Sequence, residues 1–124
     1  TNPEEVSTRQ LLNEIKVYAI NCPFFFGAAN TLLEGIQNIR AWSKIFILRM
    51  NNVPAMDATG FYALYKIFDR LRQNNIQLIL CGVQPQPLRV LEKHKFTEQL
   101  GRANICQNMK VAVWRAKQIL GEKN

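Results

Sequence analysis

The chain has 124 residues, 48% of them hydrophobic, and a formal net charge of +7 at pH 7. That length suits one domain rather than two, and that apolar content excludes a chain disordered throughout. No apolar run approaches the roughly 20 residues of a membrane-crossing helix, and the N-terminal TNPEEVSTRQ lacks the apolar middle of a signal peptide. A start without Met is the expectation for a piece of a longer protein. Residues 1–60 hold five basic and five acidic side chains, whereas residues 61–124 hold eleven basic and four acidic. A basic half suits phosphate, an anionic membrane surface or an acidic partner. The cations stand singly, without a dense Lys/Arg run or interleaved aromatics, so no nucleic-acid partner is expected. Cys22, Cys81 and Cys106 are an odd number without CxxC spacing. They predict buried free thiols rather than a disulfide framework or a zinc site.

Residues 1–14 read as a lead-in or linker. IKVYAI, from Ile15 to Ile20, is rich in branched and aromatic residues and predicts a strand. Asn21-Cys22-Pro23 breaks it, and Phe24-Phe25-Phe26 predicts a short second strand ended by Gly27. From Ala28 to Ile39, Leu32, Leu33, Ile36 and Ile39 recur at helical spacing. The apolar run from Ile45 to Met50, broken only by Arg49, predicts a central strand covered on both faces. Thr59 to Arg72 predicts a helix with Phe61, Leu64, Tyr65, Phe68 and Leu71 inward, ended by Asn74-Asn75. Ile76 to Leu80 predicts another buried strand, stopped at Gly82. Gln84-Pro85-Gln86-Pro87 opens a helix that turns Leu88, Leu91 and Val90 to the core. Ile105 and Cys106 predict a short strand. Asn108 caps a last helix, whose stripe is Met109, Ala112, Val113, Ala116, Ile119 and Leu120. Strands alternating with helices predict a mostly parallel sheet with crossover helices.

The junction "VPAMDATGFYALYKIF" (residues 53–68) holds the candidate site. Asp57 stands where a carboxylate accepts a backbone N–H from the first helical turn. With the cap filled, Thr59 calls for another explanation. Gly60 is a poor helix residue, and in a first turn it implies that something approaches the backbone closely. The junction falls at the carboxyl end of a strand, where open α/β sheets present functional groups. A helix N-terminus tolerates negative charge, a phosphate on Thr59 included.

The segment "VPAMDATG", between its strand and its helix, resembles the signature turn of STAS domains. These occur as free anti-sigma factor antagonists and as the cytoplasmic C-terminal domain of SulP-type anion transporters. "NCPFFFGAAN" is similar to a Gly-Pro-Phe-Phe-Phe-type segment near the start of the transporter members. "LILCGVQPQPLRVLEK" and "LGRANIC" are similar to their late strands and turns. The resemblance runs from Ile15 to Leu120 and implies an STAS-like α/β fold, with a mixed, mostly parallel sheet, an antiparallel edge strand and flanking helices. It implies a domain spanning 15–120 with a tail at 121–124. It also implies a regulatory role on the cytoplasmic face of the membrane, as part of a sulfate or related anion transporter. The partners would be the membrane domain of its own chain and a protein regulator. In free antagonists a partner kinase phosphorylates the hydroxyl residue two places after the Asp, which is Thr59 here. Ala58 stands where antagonists often carry a further hydroxyl.

No catalytic set is legible. The lone His94 suits a surface or cap role, no Walker A or dinucleotide glycine pattern occurs, and no His or Cys pair has metal-ligand spacing. The expectation is a non-enzyme without cofactor or metal. Asp57, Ala58, Thr59 and Gly60 form its interaction turn, and Tyr62 and Lys66 are candidate contacts on the helix. Two other readings stand beside it. One is a free antagonist switched at Thr59. The other is a module that holds a small anion or a nucleotide phosphate on the backbone N–H groups of Ala58 to Phe61.

Overall fold

Among the described residues, branched and leucine-rich runs form a four-stranded sheet in chain order: β1 (Ile15–Ala19), β2 (Ile45–Arg49), β3 (Gln77–Cys81) and β4 (Ile105–Cys106). The computed structural model describes residues 14–36 and 43–122. Every pairing is parallel, with Ile45 opposite both Ile15 and Gln77, and Cys81 opposite Cys106. The crossovers are helices: α1 (Phe26–Ile36), α2 (Ala58–Gln73), α3 (Pro85–Lys93), with the short α4 (Phe96–Leu100), and finally α5 (Met109–Glu122). This is the α/β architecture with flanking helices that the resemblance implied, and β1 lies at the edge. No antiparallel edge strand occurs among the described residues. The lead-in up to residue 13 and Ile39 lie outside them.

Period-two alternation divides the interior. Phe46, Leu48, Leu78 and Leu80 pack under α1, α2, α3 and α4. Ile45, Ile47, Ile79, Cys81 and Cys106 pack under Ala112, Ala116, Ile119 and Leu120 of α5. Covered on both faces, β2 is buried from Ile45 to Leu48, which is why its sequence is a continuous apolar run.

One expected strand is absent. Only Phe24 pairs, through a lone parallel bridge to Met56, and Phe26 already opens α1. Three consecutive apolar residues do not distinguish a strand from a helix start. Here Phe25 and Phe26 are exposed, and helical spacing turns Ala29 and Leu32 inward instead.

α2 matches its predicted stripe, with Tyr65 half-buried and Ile67 fully buried besides. It ends as its Asn pair implies. Asn74 donates its side-chain N–H to Arg70 O at 2.8 Å, and Asn75 takes a left-handed φ of 59°. Phe96 meets Phe61, Tyr65 and Phe68 edge-on, at centroid distances of 5.8, 6.4 and 5.2 Å, and locks α4 onto α2.

The first turn of α2 crosses the chain at Gly60. A Cβ built there would lie 1.9 Å from the carbonyl oxygen of Phe24. The close approach expected from the glycine is therefore made by the chain's own backbone.

Gly60→Ala is expected to destabilise by roughly 1–3 kcal/mol in urea unfolding, although alanine is the better helix former by about 1 kcal/mol. A gain in stability would contradict the contact. Leu64→Ala, at a fully buried position, should cost about 2–5 kcal/mol in the same measurement.

Candidate functional site: the corner between β2 and α2

Beyond β2 the chain leaves the sheet and returns as α2, and the intervening loop is fastened by groups distant in sequence. Phe24 N–H donates to Ala55 O at 2.9 Å. Gln84 Nε2 donates to Asn51 O, and Asn52 Nδ2 to Asn21 Oδ1, both at 2.8 Å. The side-chain amide of Gln86 brackets Met56. Met56 N–H donates to Gln86 Oε1 at 2.8 Å, and Gln86 Nε2 donates to Met56 O at 3.1 Å. This amide completes both backbone bonds of a residue that has only Phe24 beside it as a strand partner. Val53 and Met56 are buried beneath.

Asp57 follows in extended backbone as the N-cap of α2. Its Oδ1 accepts the N–H of Gly60 at 2.7 Å and the hydroxyl of Thr59 at 2.8 Å. Gly60 N–H, then the Thr59 hydroxyl, hold the Asp57 carboxyl below the usual carboxylate range. Thr59 therefore has a structural reason that capping by Asp57 alone had hidden: its hydroxyl donates to the capping carboxylate. Phe61 N–H goes to Asp57 O at 2.9 Å. Two of the donors that an anion would need are thus already used by Asp57. Asp57, Ala58 and Thr59 are exposed, while Gly60 is buried against Phe24.

Beside this corner α1 and α2 leave an open groove of about 330 Å³. Phe26, Asn30 and Leu33 form one wall, and Ala58, Thr59, Tyr62, Ala63 and Lys66 the other. Phe26 and Tyr62 are 66% and 61% exposed, two large apolar rings lining one groove. Lys66 Nζ sits 4.7 Å from the centroid of the Tyr62 ring and is the one cation lining the groove among the described residues. The predicted site residues Thr59, Tyr62 and Lys66 are thus brought to one surface. Sequence reading missed Phe26, assigned to a strand, and Gln86, whose partner is thirty residues away.

A second cleft, of about 430 Å³, opens at the carboxyl ends of β3 and β4 between Asn51, Gln84, Leu88 and Gln107. Among the described residues no charged side chain lines it. Gly82, at φ 71°, lets Asn51 approach there. His94 is an exposed C-cap of α3, stacked on Phe61 at 4.1 Å between centroids. Cys81 and Cys106 are buried thiols as expected, but Cys22 is exposed, because it lies in the break after β1 rather than under a helix. Burial pushes the Cys81 and Cys106 thiols up, away from thiolate chemistry. Among the described residues no group of acidic, His or Cys side chains is placed to hold a metal, and no helix is long and apolar enough to cross a membrane.

Comparison with known proteins bears on this arrangement. The STAS domain family model matches residues 8–112. The crystal structure of a sulfate transporter family protein from Wolinella succinogenes superposes with a TM-score of 0.81 at 34% identity, over 87% of this chain and 88% of that one. The STAS domain of a SulP transporter from Vibrio cholerae superposes with a TM-score of 0.75 at 29% identity, over 90% and 86% of the two chains. A putative sulfate transporter of Bacillus subtilis, YvdB, is 32% identical over 89 residues, which are 71% of this chain but only 17% of that protein. With its parallel sheet and capped corner, the chain belongs to the STAS domain family and is similar to the STAS domain of a SulP transporter and to a sulfate transporter family protein.

Proposed function

We propose that this domain is the non-catalytic regulatory module of a SulP-type transporter of sulfate or a related anion. It works on the cytoplasmic face of the membrane and contacts the membrane domain of its own chain, or a protein regulator, through the Asp57–Gly60 corner and the start of α2. The observation that carries this reading is the groove beside the corner, apolar in its walls, with Phe26 and Tyr62 left in water. Surface of that kind is characteristic of protein contacts. Lys66 at its edge favours an acidic residue on the partner. The relatives named above supply the transporter context.

A second use of the same corner is phosphorylation of Thr59, and the exposure of that residue favours it. A phosphate there would replace the hydrogen bond to Asp57 with repulsion between two anions. It would loosen the first turn of α2 rather than merely decorate it. A third use, the holding of a free anion or nucleotide, meets the Asp57 carboxylate at the donors it needs. This makes an anion the least favoured occupant of the corner.

In the full-length transporter, Tyr62→Glu at the exposed wall is expected to change initial anion uptake at least threefold while the melting profile of the domain stays as it was. Uptake indistinguishable from wild type would reject the groove as the contact. After incubation with the cognate kinase, phosphate on Thr59 should shift the amide resonances of Gly60 and Phe61, and intact mass without added phosphate would remove the switch reading. Asp57 supplies a further check through acid. Its folded pKa is depressed, so its contribution is complete above the unfolded value of about 3.9 and is lost as pH falls through the lower folded value. Asp57→Ala should therefore melt a few degrees lower at neutral pH. The gap from wild type should narrow as the pH drops from about 5 to about 3. A gap independent of pH would contradict the charged cap.

A further inference from the structure

The groove and corner lie on the face of the sheet covered by α1 to α4, and α5 covers the other. The inward side of α5 is built of small and aliphatic residues, with Ala112 and Ala116 fully buried and Ile119 and Leu120 nearly so. Its outward side is unusual for a solvated helix. Trp114 is 63% exposed and Val111 41%, one turn apart and therefore neighbours on the helix surface. Lys110 and Lys117 flank them, four residues before and three after Trp114, and both are exposed. Arg115, on the opposite flank, is held by Asn104 Oδ1 and Gln118 Oε1 at 2.8 Å each.

Nothing in the local sequence neutralises this face. From Arg102 to Gly121 the chain carries four basic residues and no acidic one. The ion pairs among the described residues are Lys44 with Glu14 and Arg72 with Asp69, so neither Lys110 nor Lys117 has an ion pair there. Lys110 stands in the first turn of α5, which holds no acidic residue, and the helix dipole disfavours a cation at that end. Helix stability does not account for it. An indole flanked by lysines, whose aliphatic stems extend an apolar strip and whose ammonium groups reach beyond it, is complementary to an anionic lipid surface.

We propose that the outer face of α5, centred on Trp114 and Val111 with Lys110 and Lys117 at its flank, docks on an anionic bilayer. The proposal rests on the transporter reading for one thing: a domain tethered to a membrane protein meets the bilayer at high effective concentration, so a small patch suffices. The lipid chemistry itself belongs to the patch.

The chain is mixed with vesicles of phosphatidylcholine alone and with vesicles containing roughly a third phosphatidylglycerol. Flotation reads binding of the unmodified protein. A Trp42→Phe version leaves Trp114 as the single tryptophan of the two, so its emission reads insertion. Co-flotation with the anionic vesicles only, a blue shift of Trp114, and loss of both at about 0.5 M salt are expected. Lys110→Glu with Lys117→Glu should weaken binding at least tenfold without changing the far-ultraviolet circular dichroism. Protein left at the bottom of the gradient with both vesicle types would overturn the proposal. So would equal binding to neutral lipid, or a double variant that binds like wild type. A short DNA duplex or a soluble acidic protein that shifts Trp114 as strongly as the vesicles would assign the face to that partner and overturn it too. The assay contains no transporter, so its failure leaves the regulatory reading intact, and failure of uptake control leaves the lipid affinity measurable.

Discussion

The carbonyl of Phe24 lies against the backbone of α2 at Gly60, and most of the corner's geometry follows from that approach. A side chain at residue 60 would push the two segments apart, breaking the bridge from Phe24 to Met56 and the bond from Phe24 N–H to Ala55 O. With the segments in contact, the residues after Phe24 are carried past the start of α2. Phe26 then opens α1 opposite Tyr62, and the groove between them exists because the two helices begin side by side. The same approach holds Met56 in the extended path that delivers Asp57 to the cap position. One missing side chain therefore links the lone bridge, the cap and the groove.

The polar fastenings complete the same construction. A loop that leaves a parallel sheet strands backbone donors and acceptors, and buried ones must find partners. At Met56 they find the side-chain amide of Gln86, which imitates the edge of a strand. Gln84 does the same for Asn51 O. Both amides come from the Gln-Pro-Gln-Pro segment at the start of α3, where Pro85 and Pro87 bring no backbone N–H of their own. α3 is thus tied to the corner twice over, through these amides and through the stack of His94 on Phe61. A change in the seat of α3 would reach Asp57 through a single peptide.

The strands and the long helix were legible because each is decided locally. Ile45 to Leu48 is apolar throughout since helices cover both of its faces, and the stripe of α2 keeps helical period from Phe61 to Leu71, about three turns. Asn108 was legible as a cap for the same reason, and its Oδ1 accepts Val111 N–H at 2.9 Å. What failed was whatever a distant segment decides. Phe24-Phe25-Phe26 has strand composition, yet only Phe24 finds a partner, and that partner is Met56. The glycine announced a close approach without saying what approaches. Gln86 carries no local mark at all, since a glutamine among prolines reads as a turn. The site was thus half visible: its cap lies within four residues, while its other wall and its support come from segments about thirty residues away on either side.

The division of the sheet into two faces bears on how such a module works. Among the described residues the corner face carries four helices, an aromatic cluster around Phe96, and a groove with largely apolar walls. Among the described residues the α5 face is covered by one helix, seated close on β2, β3 and β4 by alanines at 112 and 116. Two surfaces of different chemistry on opposite sides of one sheet would allow the domain to engage two things at once. An anionic surface that holds α5 would fix the orientation of the corner as well, because no hinge lies between them: β2 and β3 carry residues of both clusters in alternation. The groove would then meet its partner at a defined angle, and a modest affinity on each side would multiply through the shared strands. Release of either contact would lower the occupancy of the other, so the sheet itself would serve as the coupling element of a regulatory domain.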